Sequence, residues 1–373
     1  MHGAYIVPML VLAGRAYAAS LDHLMPAMNA TRLIKSSEED PGEWIHQDDL
    51  FERFTSKGLG FIDITDIEDP EVMAILNGEV PFETASAQTY PDKMLHVGEA
   101  KKLVDAITMD GPKGWIRDLS HFHTRDSRGK QAVAAADYIF EATKKAAAPN
   151  SNIKVQQVKH RWNQPSTIAI LPGENPEMVI LGAHFDSTAG GADARAPGAD
   201  DNASGCAVVL EALRIAAAQG WKPKNTIEFH FYAAEEVGLL GAKDIFKEYK
   251  AQKKTVIGFL NQDMVGWQPS KTPAVMTDHA SGALVEYITK VITEYTGKAP
   301  NRSKCGYACS DHAPATANGF PAVWVFEDVW DKKTPHYHSA KDTIDTVQWD
   351  AVTKHVKFAV GFMVEASHIP KSN

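Results

Sequence analysis

Val179-Ile-Leu-Gly-Ala-His184-Phe-Asp186 is the stretch of sequence that decides the fold. Its unbroken apolar run is typical of a β-strand that is buried on both faces, as strands are in a parallel sheet covered by helices. The run ends in a histidine and an aspartate, two residue types that bind Zn²⁺ and similar cations. Because ligands of open α/β sheets bind at the carboxyl ends of the strands, this stretch predicts a parallel sheet with a metal site at its edge.

Other potential metal ligands follow apolar or turn-forming residues in the same way. They occur in Gly198-Ala-Asp200-Asp201-Asn202, Phe231-Tyr-Ala-Ala-Glu235-Glu236, Leu260-Asn-Gln-Asp263-Met264 and His336-Tyr-His338. Taken alone, each of these motifs is about as well explained by residues that have a structural role or face the solvent as by metal binding. Together they suit a pair of divalent cations and predict metal-assisted hydrolysis. Residues two apart on a strand face the same way, so Asp186 can hold the far nitrogen of His184.

Strands and helices alternate along most of the chain. Strands are predicted over 153–158, 166–171, 178–183, 226–233, 256–260 and 321–326, and helices over 97–107, 132–142, 204–218, 239–251, 283–295 and 350–366. We expect the first two strands to pair at an edge. The alternation predicts an α/β fold with a mostly parallel central sheet covered by helices on both faces.

The chain divides into three predicted parts. Residues 1–19 have the pattern of a signal peptide, a short apolar run before Ala16-Tyr17-Ala18, although a mis-assigned start or a buried helix would look similar. Residues 20–87 carry no catalytic motif and precede a domain over 88–373; the polar stretch 83–91 is typical of a linker. No later run reaches the roughly 20 apolar residues of a membrane span, so we expect no membrane anchor.

Composition and cysteine content narrow the class of protein. The net charge of −9, without a Lys/Arg-rich block, argues against nucleic-acid binding, and 44% hydrophobic residues are typical of a globular protein. Cys305 and Cys309 close a short loop that favours a disulfide in an oxidising compartment, with a soft metal site as the alternative. Cys206 lies in an apolar stretch and is expected in the core. Asn29 and Asn301 begin glycosylation sequons, which fits secretion.

Four motifs carry a resemblance to a known family. They are Gly182-Ala-His184-Phe-Asp186-Ser-Thr188, Ala196-Pro-Gly-Ala-Asp-Asp201-Asn-Ala-Ser-Gly205, Tyr232-Ala-Ala-Glu235-Glu236-Val-Gly-Leu239 and Cys305-Gly-Tyr-Ala-Cys-Ser-Asp-His312. These motifs, which occur in this order along the chain, resemble those of the secreted di-zinc leucine aminopeptidase family of bacteria and fungi. The resemblance extends from about Tyr90 to the last predicted helix. The stretch before Tyr90 resembles the propeptides of fungal members. The resemblance implies a fold of the zinc-exopeptidase type.

The resemblance also implies roles for individual residues. The implied ligands of two Zn²⁺ per chain are His184 and Asp263 on one ion, Glu236 and His338 on the other, and Asp201 between them. Glu235 is implied as the general base and Tyr307 as a residue that stabilises the oxyanion. Asp186, expected from the strand pattern to be the partner of His184, is the third candidate catalytic residue. The implied enzyme is an extracellular monomer that acts on peptides with a free N-terminus and is made as a zymogen inhibited by its own propeptide.

An aminopeptidase needs an apolar pocket for the first side chain of its substrate, expected to be large and apolar, such as Leu. The candidates are Met264, Trp324, Phe326, Trp330 and Tyr337, each of which is equally explained as plain core. Two other enzyme classes remain open on the same fold, a metallocarboxypeptidase and a glutaminyl-cyclase-like transferase. A binding domain that has lost its metals is the third alternative.

Overall fold

A computed structural model describes residues 31–57, 59–80 and 88–372. The predicted signal peptide, the sequon at Asn29 and most of the predicted linker therefore lie outside the described residues. Among the residues that are described, no helix combines the length and the apolar character that a membrane crossing requires.

The strands form one large sheet and one small sheet. They are β1 (Thr31–Lys35), β2 (Glu43–His46), β3 (Ile62–Asp63), β4 (Lys154–Val158), β5 (Ser166–Leu171), β6 (Asn175–His184), β7 (Asn225–Tyr232), β8 (Val256–Gln262), β9 (Ala274–Met276), β10 (Asn301–Ser303) and β11 (Ala322–Phe326). The large sheet has the order β10-β9-β11-β8-β6-β7-β5-β4. Its central strands β11, β8, β6 and β7 are parallel, whereas β4 and β5 pair antiparallel at one edge. The predicted mostly parallel sheet and the predicted edge pair are both confirmed.

Helices cover the large sheet on both faces, as predicted. The helices are α1 (Leu50–Arg53), α2 (Pro70–Leu76), α3 (Val97–Val104), α4 (Asp110–His121), α5 (Ala132–Ala147), α6 (Gly205–Ala218), α7 (Leu240–Ala251), α8 (Gly282–Thr296), α9 (His312–Ala317) and α10 (Trp349–Ser367). Alternate residues of β6 separate the two layers: Val179 and Leu181 pack with α6, α8 and α10, while Met178 and Ile180 pack with α7. This two-sided burial explains why residues 178–183 of β6 are all apolar.

Residues 31–57 and 59–80, called the N-terminal segment below, have more structure than their irregular sequence predicts. They contain α1, α2 and the small antiparallel sheet of order β2-β1-β3. Apolar side chains of β3 and α2 pack against the rest of the chain, where Ile62, Val72 and Leu76 meet Ala313 and Ala317 of α9. The N-terminal segment is thus seated on the face of the sheet that carries α7 and α9.

Candidate active site

The ends of neighbouring strands bring the acidic residues to His184. In the parallel register, His184 of β6 lies opposite Tyr232 of β7, three residues before Glu235. On its other side, Gly182 pairs with Asn261 of β8, two residues before Asp263. Because the three strands run parallel, their carboxyl ends meet at one edge of the sheet. The sequence predicts a metal site at this edge of the sheet.

Two groups of potential metal ligands lie side by side at this edge. His184 Nε2 is 3.3 Å from Asp201 Oδ1 and 3.3 Å from Asp263 Oδ1. His338 Nε2 is 3.1 Å from Asp201 Oδ2 and 3.0 Å from Glu236 Oε2. In each group the three ligand atoms lie within 4.8 Å of one another. Asp201 belongs to both groups and turns one carboxylate oxygen towards each.

The charges of this cluster fit divalent cations. Buried carboxylates are costly without a counter-charge, and burial raises the pKa of Glu236 to about 7. Burial disfavours the His338 imidazolium, yet Glu236 and Asp201 raise its pKa to about 10. Without metal the groups thus hold extra protons. Among the described residues Glu236 Oε1 has no hydrogen-bond partner. Imidazole nitrogens and carboxylate oxygens with unused lone pairs are a donor set that suits Zn²⁺.

Asp186 holds the backbone that carries the two glutamates. Its Oδ1 accepts the N–H of Glu235 at 3.0 Å and its Oδ2 accepts the N–H of Glu236 at 3.2 Å. The distance from His184 Nδ1 to Asp186 Oδ1 is 3.5 Å, an ion-pair contact longer than a well-formed hydrogen bond. Asp186 is fully buried. Its clearest structural role is therefore to fix the turn after β7, in addition to the expected contact with His184.

Two further side chains fix the ligand positions, and sequence reasoning missed both. Asp342 accepts the N–H of Asp200 at Oδ1 and that of Asp201 at Oδ2, each at 2.9 Å. Ser310 donates its hydroxyl to Asp263 Oδ2 at 2.6 Å. Ser310 lies within the quoted cysteine-loop motif, and Asp342 follows His338 by four residues. The signal was present in the sequence, but no role was assigned to these positions.

The N-terminal segment covers the cluster. A cavity of about 40 Å³ above the ligand groups is lined by Leu59, Gly60 and Phe61 as well as by the ligands, Glu235 and Tyr307. Gly60 lies directly on the Tyr307 phenol, and a Cβ at residue 60 would overlap that ring. The backbone N–H of Asp63 donates to the carbonyl of Gly238, just beyond Glu236, at 3.4 Å. The segment therefore crosses the site as a close-fitting cover.

The five candidate pocket residues lie in one cluster beside the ligands. Met264, Trp324, Trp330 and Tyr337 line the cavity. Phe326 lies behind them, with its ring centroid 4.9 Å from that of Trp324, and does not line the cavity. Trp324 also donates its indole N–H to the carbonyl of Asp263 at 3.0 Å. It therefore lines the cavity and also helps to hold Asp263, a potential metal ligand, in place.

Cys305 and Cys309 form a disulfide with their Cα atoms 6.5 Å apart. Both sulfurs are engaged in this bond, which removes the alternative of a soft metal site. Cys206 is buried and unpaired among the described residues, as expected of a core residue. Burial raises the pKa of its thiol to about 12.

A parallel sheet whose strand ends carry two adjacent His/carboxylate groups, next to a further buried glutamate, defines a metal-dependent hydrolase. Residues 166–363 match the model of Peptidase family M28, and the chain belongs to this family. It is 35% identical over 363 residues to a protein of Arthroderma otae named "Probable leucine aminopeptidase", with 96% of this chain and 98% of that protein covered.

Two further comparisons agree with this membership. The chain is 37% identical over 348 residues to leucine aminopeptidase 1 of Trichophyton equinum, which covers 87% of this chain and 90% of the relative. Among solved structures, the Legionella pneumophila LapA aminopeptidase superposes with a TM-score of 0.73 at 25% identity, covering 83% of this chain and 85% of that chain. The fold, the site and the sequence relatives therefore point to one class of peptidase.

Proposed function

We propose that the chain is a secreted zinc aminopeptidase that hydrolyses the N-terminal peptide bond of peptides with a free N-terminus, preferring large apolar first residues such as Leu. The observation that carries the proposal is the pair of ligand groups that share Asp201 beside Glu235. The names of curated relatives at 35% and 37% identity support the aminopeptidase activity. We further propose an extracellular monomer.

The proposed ligand set is the one that the sequence resemblance implies. His184 and Asp263 would hold one Zn²⁺, Glu236 and His338 the other, and Asp201 would contact both. Such a pair of ions, when bound, supplies Lewis acidity that lowers the pKa of water and polarises a carbonyl. The distances of 3.0–3.3 Å between the ligand atoms within each group support this assignment.

The remaining chemistry falls to side chains of the chain itself. Glu235 accepts the proton of the attacking water and delivers it to the nitrogen of the leaving amine. Burial raises the pKa of Glu235, which suits a group that must both accept and release a proton. Tyr307 donates its hydroxyl to the oxyanion, and burial raises its pKa, so the hydroxyl stays protonated.

The aromatic cluster beside the ligands accounts for the proposed preference. Met264, Trp324, Trp330 and Tyr337 offer an apolar wall next to the reacting atoms. A wall of this kind stabilises a large apolar first side chain by removing it from water, at about 25 cal/mol per Å² of buried apolar surface. Leu fits this chemistry better than a charged residue does.

We also propose that residues 20–87 are an inhibitory propeptide, between a signal peptide over 1–19 and a catalytic domain over 88–373. Support comes from Gly60, which rests on the Tyr307 ring and occupies the space that a substrate needs. The alignment with the Arthroderma otae relative covers 96% of the chain, so it includes most of this segment. The segment would then be a shared part of such proteins.

The test combines metal analysis with an activity panel. We expect purified protein to contain about two zinc ions per chain. We expect protein that has been cut within residues 81–87 and separated from the N-terminal segment at about 1 M NaCl to hydrolyse aminoacyl p-nitroanilides, Leu-p-nitroanilide best. A chelator should abolish the activity and added Zn²⁺ should restore it. Activity confined to N-acylated peptides would indicate a carboxypeptidase, and cyclisation of N-terminal Gln would indicate the transferase. Either result, or equal activity before the cut and after separation of the N-terminal segment, would contradict the proposal.

A further inference from the structure

Helix α7 turns a row of lysines towards the N-terminal segment. Lys243, Lys247 and Lys250 are spaced i, i+4 and i+7, which places them on one face of the helix. Lys243 Nζ donates to the backbone carbonyl of Asp63 and lies 4.0 Å from its carboxylate. This side chain is only 14% exposed, so the N-terminal segment covers it almost completely.

The part of the N-terminal segment that faces this row is acidic. Residues 63–71 contain five acidic side chains and no basic one: Asp63, Asp66, Glu68, Asp69 and Glu71. Lys250 Nζ lies 2.7 Å from Asp69 Oδ2 and 3.7 Å from Glu71 Oε2. Arg161, also in the catalytic part, lies 3.6 Å from Asp66 Oδ2. Arg32 neutralises part of the stretch from within the segment, through contacts with Asp63 and Asp66.

The charged contact borders a large cavity. A cavity of about 560 Å³ lies between α7 and the N-terminal segment, and Lys243, Lys247, Lys250, Asp66 and Asp69 all line it. A cavity of this size has room for many waters, each of which takes roughly 30 Å³. Lys250 and Asp69 are 36% and 41% exposed. Dissolved ions can therefore reach these pairs and screen them.

We propose that the α7 row of Lys243, Lys247 and Lys250 is an electrostatic docking surface for the acidic stretch 63–71. This inference rests on the proposed inhibitory role of the N-terminal segment and specifies how the segment is held. A proteolytic cut alone then leaves the segment in place at low ionic strength, and salt decides when it departs. Because Asp63 is also bonded to Gly238, docking at α7 keeps Gly60 over Tyr307.

The experiment follows the segment after a complete cut. A protease site is placed within residues 81–87 of the full chain, the chain is cut, and the sample is run by size exclusion at about 0.1 M and about 1 M NaCl, where the screening length is about 10 Å and 3 Å. Mass spectrometry of the fractions reports whether residues before the cut travel with the catalytic domain. We expect the dissociation constant to rise about tenfold between the two salt concentrations. Exposed ion pairs contribute modestly, and three of them add up here: Lys250 with Asp69, Lys250 with Glu71, and Arg161 with Asp66.

Charge variants connect this effect to α7. Lys250→Glu should release the segment at about 0.1 M NaCl, with a dissociation constant about tenfold above that of the unaltered chain, and Asp69→Lys in the same chain should restore retention. The matched control is Lys224→Glu, which alters an exposed lysine whose partner, Glu174 at 2.7 Å, lies within the catalytic part. Retention in the double variant also shows that the substituted helix is folded.

The outcomes separate this inference from the proposed activity. Retention that does not respond to salt, or Lys250→Glu behaving like Lys224→Glu, would overturn the docking surface. Salt-dependent release with no hydrolysis of any anilide would overturn the aminopeptidase activity and support the docking surface. Salt-dependent release together with a matching rise in hydrolysis would support both.

Discussion

Replacing Asp186 with Asn tests how the turn after β7 controls the site. The carboxylate accepts one backbone N–H at each oxygen, from Glu235 and from Glu236. An Asn side chain keeps one acceptor oxygen but turns an NH₂ group towards the second N–H, so that two donors face each other. The substitution therefore removes one hydrogen bond to a charged group, leaves a buried N–H unpaired and preserves the side-chain volume.

The expected size of the effect follows from these contacts. A hydrogen bond to a charged group contributes about 1.5–3 kcal/mol, and an unpaired buried donor costs a similar amount. We expect the free energy of unfolding of the metal-free protein to fall by roughly 2 kcal/mol. Because Asp186 then holds the backbone of Glu235 and Glu236 less firmly, kcat should fall about 10- to 100-fold with KM nearly unchanged. Asp186→Ala removes both bonds and should cost more than Asp186→Asn in both measurements.

The assay uses protein that has been cut within residues 81–87 and separated from the N-terminal segment at about 1 M NaCl, so that the segment does not obscure kcat. Kinetics with Leu-p-nitroanilide give kcat and KM, metal analysis gives the zinc content, and urea unfolding with a chelator gives the stability. Asp193→Asn is the control, because Asp193 is 55% exposed and pairs only with Lys130 among the described residues. If Asp186→Asn matched the Asp193→Asn control in both kcat and stability, the reasoning about the turn would be refuted.

Three further predictions concern other buried groups. Glu235→Ala should keep about two zinc ions per chain while lowering kcat by at least about 10²-fold; an active variant, seen in the anilide assay, would exclude Glu235 as the base. Cys206, with its pKa raised by burial to about 12, should resist iodoacetamide in the folded protein and react in urea, as followed by mass spectrometry; equal rates would contradict its burial. Burial also lowers the pKa of His355 from 6.5 to about 3, so the folded protein keeps it neutral. Its contribution to stability is therefore present above pH 6.5 and declines as the pH falls towards 3, by up to about 1.4 kcal/mol per pH unit. Urea unfolding with a chelator should then show a shallower decline for His355→Gln than for the unaltered chain, and parallel curves would argue against a neutral His355.

Much of the fold could be predicted because its strands are buried on both faces. Residues 178–183, which lead up to His184, are all apolar, so this strand can be predicted without knowledge of its neighbours. β9 and β10 were missed because each has only three residues, too few to show a period. The small sheet of the N-terminal segment was missed for a related reason, since its β3 has two residues.

The sequence predicted which residues form the site, but it did not predict which other side chains hold them in position. Asp342 was given no role because its partners are the backbone N–H groups of Asp200 and Asp201, more than a hundred residues away in sequence. The sequence alone does not show which backbone groups a carboxylate will contact. The acidic stretch 63–71 has no evident role in the sequence for the same reason. Its partner Lys250 lies 181 positions from Asp69, and only the folded chain brings them together.

The chain that crosses the site at Gly60 is an interior stretch of polypeptide, with residues continuing in both directions. An exopeptidase needs a chain end, and none is presented there. The proposed enzyme is therefore unable to digest its own cover from within the site, however long the two remain in contact. Under the proposed inhibitory role, release of the segment requires a different kind of protease, one that cuts in mid-chain, and the enzyme cannot supply that cut itself.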